Sequence, residues 1–411
     1  MAHRVPWPPN RGDKIRSHHI LRKMVKHASV HLACFADDEA EALTDSDIKS
    51  SLASVQIVRR NKANWRAGIE ALATGKPVSL TSFDSAKIRN YVRDTLNIGT
   101  IDCIFVFSGQ MAQFVPAEYS GRLVMDFADV DSAKFESYAE AGSGPMGWIN
   151  QREGRLLRAF EQKIAIAADY SLFVSEAEAQ LFRSRSGLDD KVKAIGNGID
   201  LDFYDPDIVP DASNEVEAIM RKKAHVQNGP LILFTGQMDY RPNVEAVTSF
   251  SAKVMPKILN HYPDAHFIIA GRAPSADVLR FDGVNGTIVT GGVDDIRCWL
   301  KAADIVVAPL RIARGIQNKV LEAMALGKPV VASVAAAQGI EAVDGKDFCI
   351  AQNPDHEAKL VCELLANHKK AASLGRNAFA LMRAKYCWES RLADINSLCG
   401  IDARDMSETA K

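Results

Sequence analysis

Short apolar runs, most of them ended by glycine or a polar turn, recur along the chain between stretches of helical periodicity. In the first half the runs lie at 30–35, 55–58, 101–107, 123–127, 172–174 and 192–195. In the second half they lie at 231–234, 266–270, 287–289, 304–310 and 330–332. Runs of this length and apolarity predict strands buried on both faces of parallel sheets. Helical spacing is predicted between them at 15–26, 61–73, 146–168 and 294–302, and from Asn243 onward, with Pro242 near that start. A helix over 316–326 has Ile316, Val320 and Met324 on one face, and Gly327 and Pro329 stop it. Three more helices are expected in the tail, near 355–365, 371–385 and 387–398. Ser175-Glu176 reads as a helix cap. Strands alternating with helices in both halves predict an α/β protein of two doubly wound parallel-sheet domains, 1–205 and 230–386, joined by a polar linker at 206–229 that carries Pro206 and Pro210. One feature departs from that plan. Only five residues precede Pro6, so the first strand of the first domain is expected to be missing or to lie upstream.

Bulk properties narrow the classes. A chain of 411 residues suggests two or three domains. A formal net charge of −1 gives no support to a nucleic-acid partner. The seven cysteines are scattered and form no C-x-x-C pair, which predicts reduced thiols rather than zinc or disulfides. No apolar run reaches the ~18 residues of a membrane span, and the N-terminal residues do not read as a signal or transit peptide.

Candidate chemistry gathers in the second domain. The turns at Thr235-Gly236, Gly271-Arg272, Gly291-Gly292 and 311–315 each follow a predicted strand. Open parallel sheets bind ligands along that carboxyl edge. The loop with Arg311, Arg314 and Gly315 runs into a helix that carries Asn318, Lys319 and Glu322. A helix N-terminus and fixed cations suit phosphate. Lys319 and Glu322, three apart, read either as a surface ion pair or as a phosphate ligand beside an acceptor for sugar hydroxyls. In the first domain, Gly12, Lys14 and Arg16 open a helix that could meet an anion. Asp126, Asp129 and Asp131 follow a strand and could bind a metal, act as a base or cap a turn. His18-His19 lacks a metal-ligand pattern. Basic residues interleaved with Trp7 and with Trp65 read either as solvated helix faces or as contacts with an anionic membrane surface.

Several of these stretches together resemble a known family. The Asn197-Gly198-Ile199-Asp200 turn with Phe203, and LEAMALGKPVVAS over 321–333, are similar to glycosyltransferase family 4 of the GT-B fold. PPNRGDKIRSHHILR, VMDFADVDS, TGQMDYRPN and APLRIARGIQNKVLEAMALGKPVVAS further resemble the subgroup tied to exosortase/PEP-CTERM exopolysaccharide loci. The resemblance implies two Rossmann-like domains facing a central cleft, with a tail helix at 387–400 crossing back to the first. It implies a retaining, metal-free transferase without a bound cofactor. A UDP- or GDP-linked sugar donor would be held by the C-terminal domain. A lipid-linked or growing exopolysaccharide acceptor would be held by the N-terminal domain, at the cytoplasmic membrane face. Arg311 and Lys319 would hold the diphosphate and Glu322 the ribose. Gly236, Gly291, Gly292, Val293, Gly315 and Asn318 would line the donor site. Gly12 would let the first loop approach the reacting centre, with Lys14, Arg16, Asp129 and Asp131 as further acceptor-side candidates. Two positions depart from the family. Arg314 stands where a first glutamate is usual, and the segment 236–241 lacks the usual arginine and lysine, which shifts phosphate work onto Arg311. A non-catalytic partner of another transferase, or a nucleotide-sugar epimerase of the same fold, are the alternatives.

Overall fold

The computed structural model describes the chain except residues 10–11, 44–45, 142–143, 211–215, 217–228, 314–315 and 402–411. It divides into two units: Met1–Asn197 with Arg391–Lys411, and Gly198–Ser390.

In the first unit, β1 (His31–Ala36) pairs with β2 (Ser54–Arg59). Separately, β3 (Cys103–Phe107), β4 (Arg122–Ala128), β5 (Tyr170–Phe173) and β6 (Val192–Ala194) pair in that order, all parallel. Residues 1–5 join the two sets. Ala2 bridges Cys34 on one side and Phe107 on the other. Val5 N–H donates to Phe35 O at 2.8 Å, Phe107 N–H donates to Met1 O at 2.8 Å, and the Met1 ammonium reaches Phe105 O at 2.7 Å. The strand expected to be missing is therefore these five residues. They lie between β1 and β3, in the central place that a doubly wound sheet gives its first strand. They are too few to show as an apolar run. The same segment corrects the reading of Trp7, which is 1% exposed and packed with Val5, Leu21 and Cys34.

In the second unit a six-stranded parallel sheet has the order β12-β11-β10-β7-β8-β9. Its strands are β7 (Leu231–Thr235), β8 (His266–Ala270), β9 (Thr287–Gly291), β10 (Ile305–Ala308), β11 (Val330–Ser333) and β12 (Cys349–Ala351). β8 and β10 are buried at every residue, as the unbroken apolar runs require. β12, only three residues long, was not visible as a run. The first unit ends at 197 rather than at the expected 205, and the residues expected to open the linker are core. Ile199, Tyr204 and Val209 are buried in the core of the second unit, so 198–210 are part of that unit. Residues 211–215 and 217–228 lie outside the described residues. The tail is two short helices, Trp388–Arg391 and Ile395–Leu398, in place of one at 387–398, and the units part at 390–391.

The 318–325 helix is stopped by chemistry legible in the sequence. Gly327 takes φ 66°, its N–H donates to Met324 O at 3.0 Å, and Lys328 N–H donates to Ala323 O at 3.0 Å. These two bonds satisfy carbonyls that a bare helix end would leave open.

Candidate functional site

The strand order of the second unit reverses between β7 and β10, so a crevice is expected at the carboxyl ends of those two strands. Along the same carboxyl edge, at the ends of β7, β8 and β9, three glycine turns are tied together. Gly236 N–H donates to Ala270 O at 3.1 Å, and Gly271 N–H donates to Gly291 O at 2.9 Å. A Cβ on Gly271 would lie 1.6 Å from Gly236 O, so no side chain fits at that position.

Lys319 comes to this edge from the helix Asn318–Ala325, which follows β10. Its Nζ donates to Asn243 Oδ1 at 2.7 Å and lies 4.1 Å from the centroid of Phe234. A Cβ on Gly236 would meet that Nζ at 3.0 Å and Asn243 Nδ2 at 2.8 Å, so the glycine makes room for both groups. Asn243 sits in the first turn of the helix Arg241–Lys253, opened by Pro242 as predicted, and its Nδ2 donates to Gln237 O at 2.8 Å. That bond settles which way the amide faces. Lys319 is half-buried, and desolvation pushes its pKa down to about 8 against a raising influence from Glu322.

Glu322 lies one turn along the same helix, and its carboxylate accepts a hydrogen bond from Tyr204. Burial raises the pKa of Glu322, with Tyr204 and Lys319 opposing it. Burial and the adjoining carboxylate also push the Tyr204 hydroxyl upward. Tyr204 is held by the segment after the Asn197-Gly198 turn: Arg297 Nη1 donates to Phe203 O at 2.9 Å and its guanidinium carbon lies 3.9 Å from the Phe203 centroid. The pair at 319 and 322 is thus not a surface ion pair. Each member has its own buried partner.

Other expected members fall elsewhere. Arg311 is exposed, and its Nη2 donates to Ser249 Oγ at 3.0 Å. Ser249 stands six residues, or about 9 Å along the axis, from Asn243 on the same helix. Arg311 and Lys319 are thus held by different residues of that helix. Arg311 lines a cavity of about 830 Å³ with Ser333, Gln338, Asn353 and Glu357. Asn318 is exposed at the first turn of its helix. Gly291 has φ 75°, Gly292 would place a Cβ 3.2 Å from Arg272 Cγ, and Val293 packs partly buried against the core. Arg314 and Gly315 lie outside the described residues.

In the first unit, Gly12 begins the helix Gly12–Met24. Lys14 and Arg16 on it are not open cations. Lys14 is 5% exposed and ion-paired with Glu41. Arg16 is 1% exposed, with Nε on Asp126 Oδ2 at 2.8 Å and Nη1 on Ile195 O at 2.8 Å and Asn197 Oδ1 at 3.1 Å. A basic turn read from sequence looked available to anions; two carboxylates distant in sequence occupy it. Asp126 also accepts from Ala128 N–H at 3.1 Å, and burial raises its pKa against the Arg16 charge. Asp129 is exposed, whereas Asp131 is half-buried at the start of the helix Asp131–Ala141 with its pKa raised by burial. Among the described residues no three His, Cys, Asp or Glu side chains gather as metal ligands.

Asn243 and Tyr204 were missed from sequence. Asn243 had a signal, its place in TGQMDYRPN, whereas nothing local marks Tyr204.

Two doubly wound parallel-sheet units, the second with a lysine and a carboxyl at its switch point, define the GT-B class of glycosyltransferase folds. Residues 229–367, about a third of the chain, match the family model for glycosyl transferases group 1. The chain is 24% identical over 252 residues to the GDP-mannose-dependent alpha-(1-6)-phosphatidylinositol monomannoside mannosyltransferase of Mycolicibacterium smegmatis. That match covers 58% of this chain and 63% of the relative, less than two thirds of its length. Among solved structures, sucrose-phosphate synthase from Thermosynechococcus elongatus superposes with TM-score 0.64 at 17% identity, covering 97% of each chain. The Anabaena protein HepE in complex with UDP-glucose gives TM-score 0.61 at 16% identity, covering 96% of this chain and 97% of its own.

Proposed function

We propose that the protein is a retaining glycosyltransferase that moves a sugar from a UDP- or GDP-linked donor to a lipid-linked or growing exopolysaccharide acceptor. The observation that carries the reading is the Lys319 ammonium, fixed by Asn243 against the bare backbone of Gly236 at the switch point of the second unit. As the bond from sugar to nucleotide breaks, negative charge grows on the leaving phosphate. A prepositioned, partly desolvated cation stabilises that charge more than it stabilises the ground state. Glu322 keeps acceptor capacity beyond the Tyr204 hydroxyl, which suits a ribose hydroxyl. Matching relatives named for GDP-mannose and phosphatidylinositol, and a fold neighbour holding UDP-glucose, support the donor class and make a lipid-borne acceptor the first to test. The exosortase-linked exopolysaccharide setting rests on the resemblance of the sequence motifs. Acceptor binding falls to the first unit in this reading, with Gly12, Asp129 and Asp131 as its remaining candidates.

The membrane-face assignment gains a different anchor from Trp7. Trp65, Ile69 and Leu72 are 64%, 60% and 62% exposed along one side of the helix Asn64–Thr74. Arg152 bonds Ala71 O at 2.7 Å, which brings in the helix Gly144–Ala167 with its exposed Met146, Trp148 and Ile149. Apolar residues at this spacing with arginines beside them suit an interfacial helix. Among the described residues no helix is long and apolar enough to cross a membrane.

A thermal-shift screen of UDP-, GDP- and ADP-sugars identifies the donor, and transfer is then measured with Lys319→Ala and Glu322→Ala. Loss of transfer in both supports the proposal; full activity in both sinks it. Donor binding without transfer by the native chain favours a non-catalytic partner. An epimerised sugar nucleotide formed without acceptor identifies an epimerase. Failure to sediment with anionic vesicles at low salt, with Trp65→Ser no different from the native chain, removes the membrane assignment.

A further inference from the structure

Cys103 opens β3 and pairs in register with Arg122, which opens β4. Arg122 in turn holds the segment that returns to the first unit. Its Nη1 donates to the carbonyls of Ser397 and Leu398, both at 3.2 Å, and a Cβ on Gly400 would lie 3.3 Å from its Nε. Cys399, between those anchors, is thereby brought close to Cys103. Both line a cavity of about 1140 Å³ that a small oxidant can enter. Cys103 is partly exposed and Cys399 is 2% exposed.

The two sulfurs differ in character. The neighbouring Cys399 thiol pulls the Cys103 thiol below its ordinary range, and the Arg122 charge helps against the opposing cost of burial. The same closeness, with burial, pushes Cys399 upward. One sulfur is disposed to be the nucleophile, and the other stays protonated beside it.

We propose that Cys103 and Cys399 form a redox modification site, in which a peroxide converts the two thiols to a disulfide that fastens residues 391–401 to the sheet of the first unit. The Cys103 thiolate attacks one peroxide oxygen, the O–O bond breaks, and the departing hydroxide takes up the proton that Cys103 lost, leaving Cys103 as a sulfenic acid. The Cys399 sulfur then attacks the Cys103 sulfur; hydroxide leaves and takes the Cys399 proton as water. Two thiols and one hydrogen peroxide give one disulfide and two waters, and a dithiol reductant reverses the change.

The test uses the full chain. After treatment with hydrogen peroxide near one equivalent, non-reducing tryptic mapping is expected to join the peptide of residues 94–122 to that of 392–404. Free thiols should fall from seven to five and return with dithiothreitol. In Cys399→Ser, dimedone is expected to trap a sulfenic acid on Cys103, at least about tenfold faster than on any other cysteine. In Cys103→Ser the remaining partner is expected to stay unmodified. Joining of any other cysteine pair first, or loss of no thiols at all, overturns the proposal. So does a Cys103 no more reactive than the rest in Cys399→Ser. Circular dichroism checks that both serine variants fold, and the native-chain peptide map decides the matter if either does not.

Discussion

Lys319 makes nucleotide binding depend on pH in a calculable way. Burial lowers its pKa to about 8 from the ordinary 10.5, a difference on the order of 3 kcal/mol. A diphosphate beside the ammonium restores the preference for the charged form. Binding therefore takes up a proton when the free protein has lost it. With the lysine held charged by the phosphate across this range, affinity for UDP or GDP is expected to be nearly flat below pH 7 and about tenfold weaker at pH 9 than at pH 7. Isothermal titration at pH 8 in two buffers of different ionisation enthalpy should report uptake of about half a proton per nucleotide. Lys319→Met should abolish both the pH dependence and most of the affinity. The same substitution tests the folding side. Between pH ~8 and ~10.5 the unfolded chain binds more protons at this site than the folded one, so stability from it rises with pH across that window. Below pH 8 the full cost of burying the charge is present. Lys319→Met is thus expected to raise stability at pH 7, by less than ~3 kcal/mol because the bond to Asn243 is lost. A Kd that does not change between pH 7 and 9, or an unchanged Kd in Lys319→Met, refutes the placement of the diphosphate at this lysine.

Arg16→Met should destabilise by about 3–5 kcal/mol in denaturant unfolding, since it leaves the Asp126 carboxylate buried without its cation. Glu357 is 5% exposed, its Oε1 has no hydrogen-bond partner, and burial alone pushes its pKa up to about 8. The folded state then holds an extra proton between pH ~4.5 and ~8, so this group's contribution to stability falls as pH rises through that window. Glu357→Gln should flatten that part of the stability profile, and an unchanged slope would count against the burial of the charge. Gly375→Ala places a Cβ 1.9 Å from Gly327 O, so it should cost about 1–3 kcal/mol, read as a lower thermal midpoint, and should weaken nucleotide binding by shifting the helix that carries Lys319.

Strands buried on both faces were legible because their apolar runs are long and unbroken, as at 266–270 and 304–310. The Gly327 stop and the Ser175 cap were legible because each acts on residues within a turn of itself. What stayed hidden depends on neighbours distant in sequence. The opening strand is short and becomes a strand only through β1 and β3. The helix Ala86–Leu96 was not foreseen, and neither was β12. Lys319 and Glu322 could be singled out from spacing, but their partners, Asn243 and Tyr204, come from other parts of the chain. Lys14 and Arg16 misled for the same reason: a local pattern of cations says nothing of the carboxylates that fold onto it.

The Gly198 backbone lies against Trp388, where a Cβ would come within 2.7 Å of Trp388 Cα, and Ile199 N–H donates to Tyr386 O at 2.6 Å. The second unit thus begins and ends at neighbouring points and is, in topology, an insert within the first. This has a consequence for biosynthesis. Strands β1 to β6 emerge from the ribosome first, but the segment that lies along the start of β3 and β4 is made after the whole second unit. At ~5–20 residues per second, the roughly 200 intervening residues delay it by about 10–40 s. The unit translated first is the one completed last, and during that interval the cavity beside Cys103 lacks the wall that residues 399–401 later supply.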